Sequence, residues 1–237
     1  MQISVAITTH DYRWDFTRLT IGNLHNDKRV AEIVLVDDHS DFTVRNALTE
    51  KVKEFPKVKF VVNDKRLLVW KNKYKAVSLC NCDRVVLLDS DNVFERSYLD
   101  AIEQNWQDDN SVLCPDKALP RFDFSKFDNL VVDKTTISQY IQDSKFSVML
   151  NTGNYCISGR RYLDVLSRFN RPECNIVPNS ADVIWTAYHL LSAGMRFKIC
   201  AGMEYQHNVH AGSTYYKYKG KEPGRLQEII KATEGMK

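Results

Sequence analysis

The sequence predicts an α/β protein in which a mostly parallel central sheet is flanked by helices, a Rossmann-like sandwich. Three short segments, residues 3–7, 33–36 and 85–88, read as strands, and the last two are apolar throughout. Apolar runs without alternation are typical of strands buried on both faces, as in parallel sheets. Each segment ends in polar residues and is followed by an amphipathic stretch, which is the pattern of strand–helix units.

In the first half of the chain, strands and helices are expected to alternate. Each expected helix carries apolar residues on one face. The expected strands cover residues 3–7, 33–36, 58–62 and 85–88, and the expected helices cover residues 15–26, 42–55 and 69–79. Pro56 ends the second helix because proline has no amide hydrogen to donate. Four such units predict parallel strands joined by right-handed crossovers.

The second half is less regular. Helices are expected over residues 98–106, 161–169, 183–191 and 226–232, and strands over residues 111–114, 196–201 and 203–207. Residues 115–128 contain two prolines and are expected to form an irregular loop. Residues 151–159 are expected to form a glycine-bearing turn that enters a strand.

Composition limits the class of protein. The chain has 237 residues, of which 43% are hydrophobic, so it can form a sizeable core. Its formal net charge of +3 is too small to favour nucleic acid as a partner. No apolar run is long enough to span a membrane and the N-terminus lacks a signal-peptide pattern, so a cytoplasmic protein is expected. The six cysteines form no pair of CxxC motifs, which favours reduced thiols over structural zinc.

Acidic residues follow the apolar run at 85–88. Asp89 and Asp91 are separated by one serine and lie at the carboxyl end of the expected strand. Open α/β sheets bind ligands at this edge, and two carboxylates at this spacing can share one hard cation or hold it on a polyphosphate. The alternative is a strand end whose acidic side chains are simply solvated.

Several motifs in order resemble a nucleotide-sugar-dependent glycosyltransferase of the GT-A fold, most closely family 2. The motifs are a first strand ending in Thr8-Thr9, then Val36-Asp-Asp-His-Ser40, Leu88-Asp-Ser-Asp-Asn92, Asn179-Ser-Ala-Asp182 and Glu204-Tyr-Gln-His207. The resemblance extends to about Ser213. The sequence departs from the family at His39, where glycine is usual, and at Ala181, where glutamate is usual. No Gln-x-x-Arg-Trp signature follows, which disfavours a processive polysaccharide synthase.

The resemblance implies a donor site at the strand ends. Asp37 or Asp38 would accept hydrogen bonds from the base or ribose; the alternative is a turn that caps the helix at Phe42. The other implied donor-binding residues are Thr8, Thr9, Arg66, Lys73, Asp89, Ser90 and Asp91. Arg66 and Lys73 would face the phosphates; their alternative is a simply solvated side chain. Mn²⁺ or Mg²⁺ would be held by Asp91 and Asp89, with His207 or His210 as a further ligand. Structural or exposed roles are the alternatives for both histidines.

The resemblance also implies a catalytic base and an acceptor site. Asp182 would take the proton of the acceptor hydroxyl; its alternative role is the N-cap of the following helix. Asn151, Gly153 and Asn154 would form the floor of the acceptor site. Residues 215–221, rich in tyrosine and lysine, are expected to form a lid or a solvated tail.

The expected protein is a single glycosyltransferase domain over residues 1–237. Residues 1–92 form the nucleotide-sugar half, 93–213 the acceptor half and 214–237 the tail or lid. Its expected activity is metal-dependent, inverting transfer from a nucleoside diphosphate sugar, with uridine implied by the resemblance, to the hydroxyl of a glycan or other acceptor. Two alternatives are a sugar nucleotidyltransferase, which would need a glycine-rich loop absent from residues 8–13, and a non-catalytic binding module.

Overall fold

A computed structural model describes residues 2–170, 182–208 and 231–232. The first half alternates strands and helices, as the sequence predicts. Its elements are β1 (Ile3–Thr9), α1 (Trp14–Leu24), β2 (Val30–Asp37), α2 (Phe42–Lys51), β3 (Val58–Val62), α3 (Val69–Ser78) and β4 (Arg84–Asp89). Apart from the exposed Ala31 near the start of β2, the apolar residues of β1, β2 and β4 are almost completely buried, which explains why these strands carry no regular polar alternation.

The second half adds shorter elements to the same sheet. They are β5 (Val93–Phe94), α4 (Arg96–Asn105), β6 (Ser111–Leu119), β7 (Phe122–Asp123), β8 (Val131–Val132), α5 (Ser144–Thr152), β9 (Cys156–Ser158), α6 (Gly159–Ser167), α7 (Asp182–Ser192) and β10 (Arg196–Gln206). In the described ranges, no helix is both long and apolar enough to cross a bilayer.

The sheet is mixed, with the order β3-β2-β1-β4-β9-β6-β10-β5; β7 pairs with β6 and β8 with β10. Strands β3, β2, β1 and β4 are mutually parallel, and β9 joins antiparallel to β4 and β6. Thr8 in β1 lies opposite Val36 in β2 on one side and Asp89 in β4 on the other. The carboxyl ends of these three strands therefore share one edge, where open α/β sheets bind ligands.

The predicted loop over residues 115–128 is wrong in its first part. Strand β6 continues through Pro115 to Leu119, and β7 returns beside it. Pro115 pairs with Cys200 at an irregularity of β10, where the register shifts between Cys200 and Glu204. Proline is tolerated at such a bulge because the regular hydrogen-bond ladder is already interrupted. The two strands expected over 196–207 are this single bulged strand.

The predicted turn at residues 151–159 is also corrected. Its first two residues end helix α5, which the sequence analysis missed, and Gly153 terminates that helix with a φ of +73°. The strand and helix that follow are present as β9 and α6. The tail over 214–237, including the expected lid, lies outside the described residues except for residues 231–232.

Candidate active site

The two acidic turns predicted to bind the donor lie on either side of β1. The amide of Asp38 donates to the carbonyl of Thr9 at 2.9 Å, and the amide of Ser90 donates to the carbonyl of Thr8 at 3.2 Å. These bonds extend the parallel pairing of β1 with β2 and β4 beyond the ends of the strands. The geometry therefore brings Asp38 and Ser90 to the same edge of the sheet, although they are distant in sequence.

The turn from Asp89 to Asn92 is held by bonds to its backbone. From α1, the Thr17 hydroxyl donates to the Ser90 carbonyl at 3.0 Å and the Thr20 hydroxyl donates to the Asn92 carbonyl at 3.0 Å. The Asn208 side chain donates to the Asp91 carbonyl, also at 3.0 Å. Because these partners are other residues' side chains, the turn is fixed without using the carboxylates of Asp89 and Asp91.

Asp91 pairs with a basic residue that the sequence analysis missed. Its Oδ2 lies 3.2 Å from Nη1 of Arg13, in the loop between β1 and α1, and both side chains are mostly buried. Arg13 could have been anticipated, because a loop that follows β1 must pass the carboxyl end of its neighbour β4.

Asp89 and Asp182 share a second basic residue, Lys73 of α3. The Lys73 Nζ lies 3.3 Å from Oδ1 of Asp89 and 3.1 Å from Oδ2 of Asp182. The side chains of Lys73 and Asp182 are 8% and 9% exposed, whereas that of Asp89 is 31% exposed. Asp182, the first residue of α7, is thus brought to the edge of the sheet where the sequence predicts donor binding, called the donor edge below, although it lies 109 residues from Lys73 in sequence.

Burial and charge act on the titration of this group in opposite directions. Burial lowers the pKa of Lys73, but the negative charges of Asp182 and Asp89 outweigh it and raise the pKa overall. Burial raises the pKa of Asp182, Asp89 adds to that rise, and Lys73 opposes it. The arrangement is a protonated lysine between two carboxylates, one of them with a raised pKa and hence a greater affinity for a proton.

The side chains of Asp37 and Asp38 accept hydrogen bonds from neighbouring loops and do not cap α2. The Asp37 carboxylate accepts hydrogen bonds from the amide of Ser40, at 2.8 Å, and from its hydroxyl. The Asp38 carboxylate accepts from the amides of Leu67 at 2.6 Å and Leu68 at 2.9 Å, just before α3. Because α2 has no side-chain cap, the alternative in which this turn caps the helix at Phe42 is wrong.

Four other predicted donor residues differ in their burial and contacts at this edge of the sheet. Thr8 and Thr9 are buried at the end of β1. Arg66 has a half-exposed side chain, with Nε 4.0 Å from Oδ2 of Asp38. The hydroxyl of Ser90 is buried and, among the described residues, has no hydrogen-bond partner; the same holds for Nδ1 of His10. Two polar groups at this edge thus keep unused hydrogen-bonding capacity.

The predicted acceptor residues connect Asp89 with the start of α7. Oδ1 of Asn154 accepts the amide of Asp89 at 2.9 Å, and Oδ1 of Asn151 accepts the amide of Ile184 at 3.3 Å. A Cβ on Gly153 would lie 3.3 Å from Cγ2 of Val183 and 4.0 Å from Oδ2 of Asp89. The three residues therefore lie between the donor edge and Asp182, where an acceptor site is expected.

Of the metal ligands inferred from the sequence, the structure describes Asp89, Asp91 and His207. Burial lowers the pKa of His207, while the negative charges of Asp91 and Asp89 oppose the decrease, so the imidazole is neutral near pH 7 and its pKa responds to both carboxylates. Carboxylate oxygens and a neutral imidazole fit a divalent cation. Within the described ranges, no three His, Cys, Asp or Glu side chains form a metal site alone, so donor phosphates would have to complete one. His210 lies outside those ranges.

Comparison with known proteins gives a family and a fold. The model of the family described as Glycosyl transferase family 2 matches residues 4–163. Residues 1–349 of S. aureus TarS in complex with UDP-GlcNAc are similar in structure, with a TM-score of 0.68 and 16% identity, over 98% of this chain and 65% of that chain. GalNAc-T7 with UDP, GalNAc and Mn²⁺ gives a TM-score of 0.67 and 16% identity, over 98% of this chain and 48% of that chain. No curated protein sequence matches the chain.

The structural similarity confirms the GT-A fold expected from the sequence. The chain spans slightly less than two thirds of the TarS fragment and about half of GalNAc-T7. The match to the family model ends before α7 and β10, so Asp182 and His207 lie beyond it.

Proposed function

Because the chain belongs to glycosyl transferase family 2, we propose that it transfers a sugar from a uridine diphosphate sugar to an acceptor hydroxyl. The observation that carries the proposal is the meeting of Asp182 with the donor-side carboxylate Asp89 through Lys73. A transferase that works by direct displacement needs a base for the acceptor hydroxyl close to the site of the departing diphosphate.

The donor would lie across the ends of β1, β2 and β4. Asp37 and Asp38 would accept hydrogen bonds from the base or ribose through lone pairs not used by Ser40, Asn63, Leu67 and Leu68. The buried hydroxyl of Ser90 would hydrogen-bond to the donor at the turn that carries Asp89 and Asp91. Uridine is chosen because the similar structures of TarS and GalNAc-T7 hold UDP-GlcNAc and UDP.

A divalent cation would be held by Asp91 and Asp89, with His207 and His210 as the candidates for a further ligand. When bound, Mn²⁺ or Mg²⁺ neutralises negative charge that develops on a departing diphosphate. Arg13 already compensates the charge of Asp91 in the structure. The side chain of Arg13 would therefore adjust when Asp91 binds a cation.

Asp182 would be the general base of a single-displacement, inverting reaction. Its carboxylate accepts the proton of the acceptor hydroxyl while the acceptor oxygen forms a bond to the anomeric carbon. The bond from that carbon to the β-phosphate oxygen breaks, and its electron pair leaves with UDP. A raised pKa makes Asp182 a stronger base than an exposed aspartate, and such a base contributes about 10²–10⁴-fold in rate.

Calorimetric titration with UDP tests the donor site. Wild type is expected to bind UDP at least about tenfold more tightly with Mn²⁺ than with a chelator, because Asp89 and Asp91 otherwise face a negative diphosphate. Asp91→Asn should remove most of this difference. Asp64→Asn, an exposed aspartate just after β3, is the matched control and should preserve it.

Equal affinity for UDP with and without Mn²⁺ in wild type would contradict the metal-dependent donor site. Absence of UDP binding under both conditions would contradict the proposed function itself.

A further inference from the structure

Of the two basic residues among the predicted donor ligands, Lys73 is the less exposed, and within the described part of the chain both of its ionic contacts are to carboxylates. Its side chain is 8% exposed, compared with 47% for Arg66. The ammonium group contacts Oδ1 of Asp89 and Oδ2 of Asp182. A lysine has three N–H donors, so these two contacts leave little capacity for a phosphate.

The packing of α3 on α7 fixes the position of this contact. One turn before Lys73 on α3 lies Trp70, and one turn after Asp182 on α7 lies Trp185. The two indole rings pack with their centroids 5.4 Å apart, and both side chains are buried. Neighbours three residues apart lie on the same face of a helix, so the tryptophan pair holds the two helices together beside the Lys73–Asp182 contact.

Asp89, the donor-side carboxylate that Lys73 contacts, is also held in place. The amide of Asp89 is bound by Asn154, and the Asp89 carboxylate lies beside Gly153. Lys73 therefore connects a fixed donor-side carboxylate with the carboxylate at the start of α7. Removal of the lysine charge would leave Asp182 buried, without its cation and opposite another negative group, which is unfavourable.

We propose that Lys73 is a positioning residue, which holds the Asp182 carboxylate at the donor edge, and not a ligand of the donor diphosphate. The proposal rests on the proposed function, because it assigns to Lys73 a role in placing the base of that reaction. It distinguishes two basic residues near the edge by their surroundings: Lys73 is buried between two carboxylates, whereas Arg66 is solvent-accessible.

The experiment compares wild type, Lys73→Met, Asp182→Asn and the double variant. Substrates are UDP-GlcNAc, UDP-GalNAc, UDP-glucose and UDP-galactose with Mn²⁺, and water takes the place of the acceptor hydroxyl. Turnover is followed as UDP release, and UDP affinity is measured by calorimetry. Lys75→Met removes an exposed lysine of the same helix and is the matched control. Melting temperatures are measured for all variants to show that they fold.

Lys73→Met is expected to lower kcat at least about tenfold while KM and UDP affinity stay within about threefold. The double variant should release UDP no more slowly than Asp182→Asn, because both changes act through one carboxylate. It should also melt at or above the temperature of Lys73→Met, since it no longer contains an unpaired buried carboxylate. Lys75→Met should behave as wild type.

A phosphate-binding role would give the opposite pattern: UDP affinity falls about tenfold or more, and the losses of Lys73→Met and Asp182→Asn multiply. That result would overturn the positioning role while the proposed function stands. Absence of UDP release by wild type from every sugar nucleotide would instead overturn the proposed function and, with it, this role for Lys73.

Discussion

Gly153 occupies a backbone position that other residues strongly disfavour. It ends α5 with a φ of +73° and a ψ of −148°, a combination that is essentially restricted to glycine. A Cβ there would also lie 3.3 Å from Cγ2 of Val183, on the first turn of α7. The conformation of Gly153 thus sets the chain direction between the end of α5 and Asn154, which binds the amide of Asp89.

Gly153→Ala is therefore expected to lower the free energy of unfolding by about 1–3 kcal/mol. Gly22→Ala is the control, because Gly22 is an exposed helical residue and an alanine Cβ at this position would have no neighbour within 4 Å. Alanine should stabilise α1 by up to about 1 kcal/mol. Urea denaturation of both variants measures the two effects, and equal effects would contradict the strain assigned to Gly153.

At the scale of single residues, the sequence predicted which carboxylates gather but not their partners. Asp37, Asp38, Asp89 and Asp91 follow strands, so the parallel pattern was enough to place them on one edge. The contacts of Asp91 with Arg13 and of Asp89 with Lys73 depend on how a loop and a helix are oriented over that edge. The order of the elements places the loop with Arg13 near this edge, but hydrophobic periodicity does not encode the side-chain orientations, and the contacts themselves were therefore not predicted.

Helices α6 and α7 meet through an aromatic cluster that includes His189. The imidazole packs against Phe169 and Trp185 with ring centroids 4.4 and 4.5 Å apart, respectively. Nη2 of Arg168 lies 3.3 Å from Nδ1 of His189, where it can donate to the neutral ring. Burial, with a contribution from the Arg168 charge, lowers the pKa of His189 to about 4.

The partly buried, neutral ring of His189 predicts that the protein loses stability in mild acid. The pKa of His189 in the folded protein is below its unfolded value of about 6.5. The stability that the neutral ring contributes is therefore complete above pH 6.5 and is lost as the pH falls through 4. Because the ring is partly exposed, we expect a loss of about 1–2 kcal/mol, less than the full shift implies. Urea denaturation of wild type and His189→Asn from pH 7 to pH 4 measures the difference.

The asparagine variant should lack this part of the pH dependence, although it loses ring contacts at every pH. In Arg168→Met, removal of the nearby cation should raise the pKa of His189 and make the acid-dependent loss smaller. Parallel pH curves for wild type and His189→Asn would contradict a buried neutral imidazole at this position.

At the scale of elements, the regular first half was predictable because each strand and helix there has one clear periodicity. The second half contains a proline within β6 and a bulge in β10, and these two irregularities face each other in the sheet. Taken alone, the proline and the bulge each indicate a break in a strand. Only their pairing makes both compatible with long strands, and a pairing between distant segments cannot be derived from local pattern.

The whole molecule assembles the candidate site from segments spread along the chain. The acidic turns come from the first ninety-two residues, Gly153 and Asn154 come from the connection between α5 and β9, and Asp182 begins α7. The family model covers residues 4–163, which include the donor edge but not the proposed base. The central claim therefore depends on Asp182, which the fold brings to within 3.1 Å of Lys73.

The most direct test of this claim is UDP release from the four UDP-sugars by wild type and Asp182→Asn, with Mn²⁺, with water as the acceptor and with UDP affinity measured in parallel. Wild type should release UDP from at least one of them. Asp182→Asn should release it about 10²–10⁴-fold more slowly while it binds UDP within a few-fold of wild type, because the base acts on the acceptor and not on the nucleotide. Near-normal UDP release by Asp182→Asn would contradict the account.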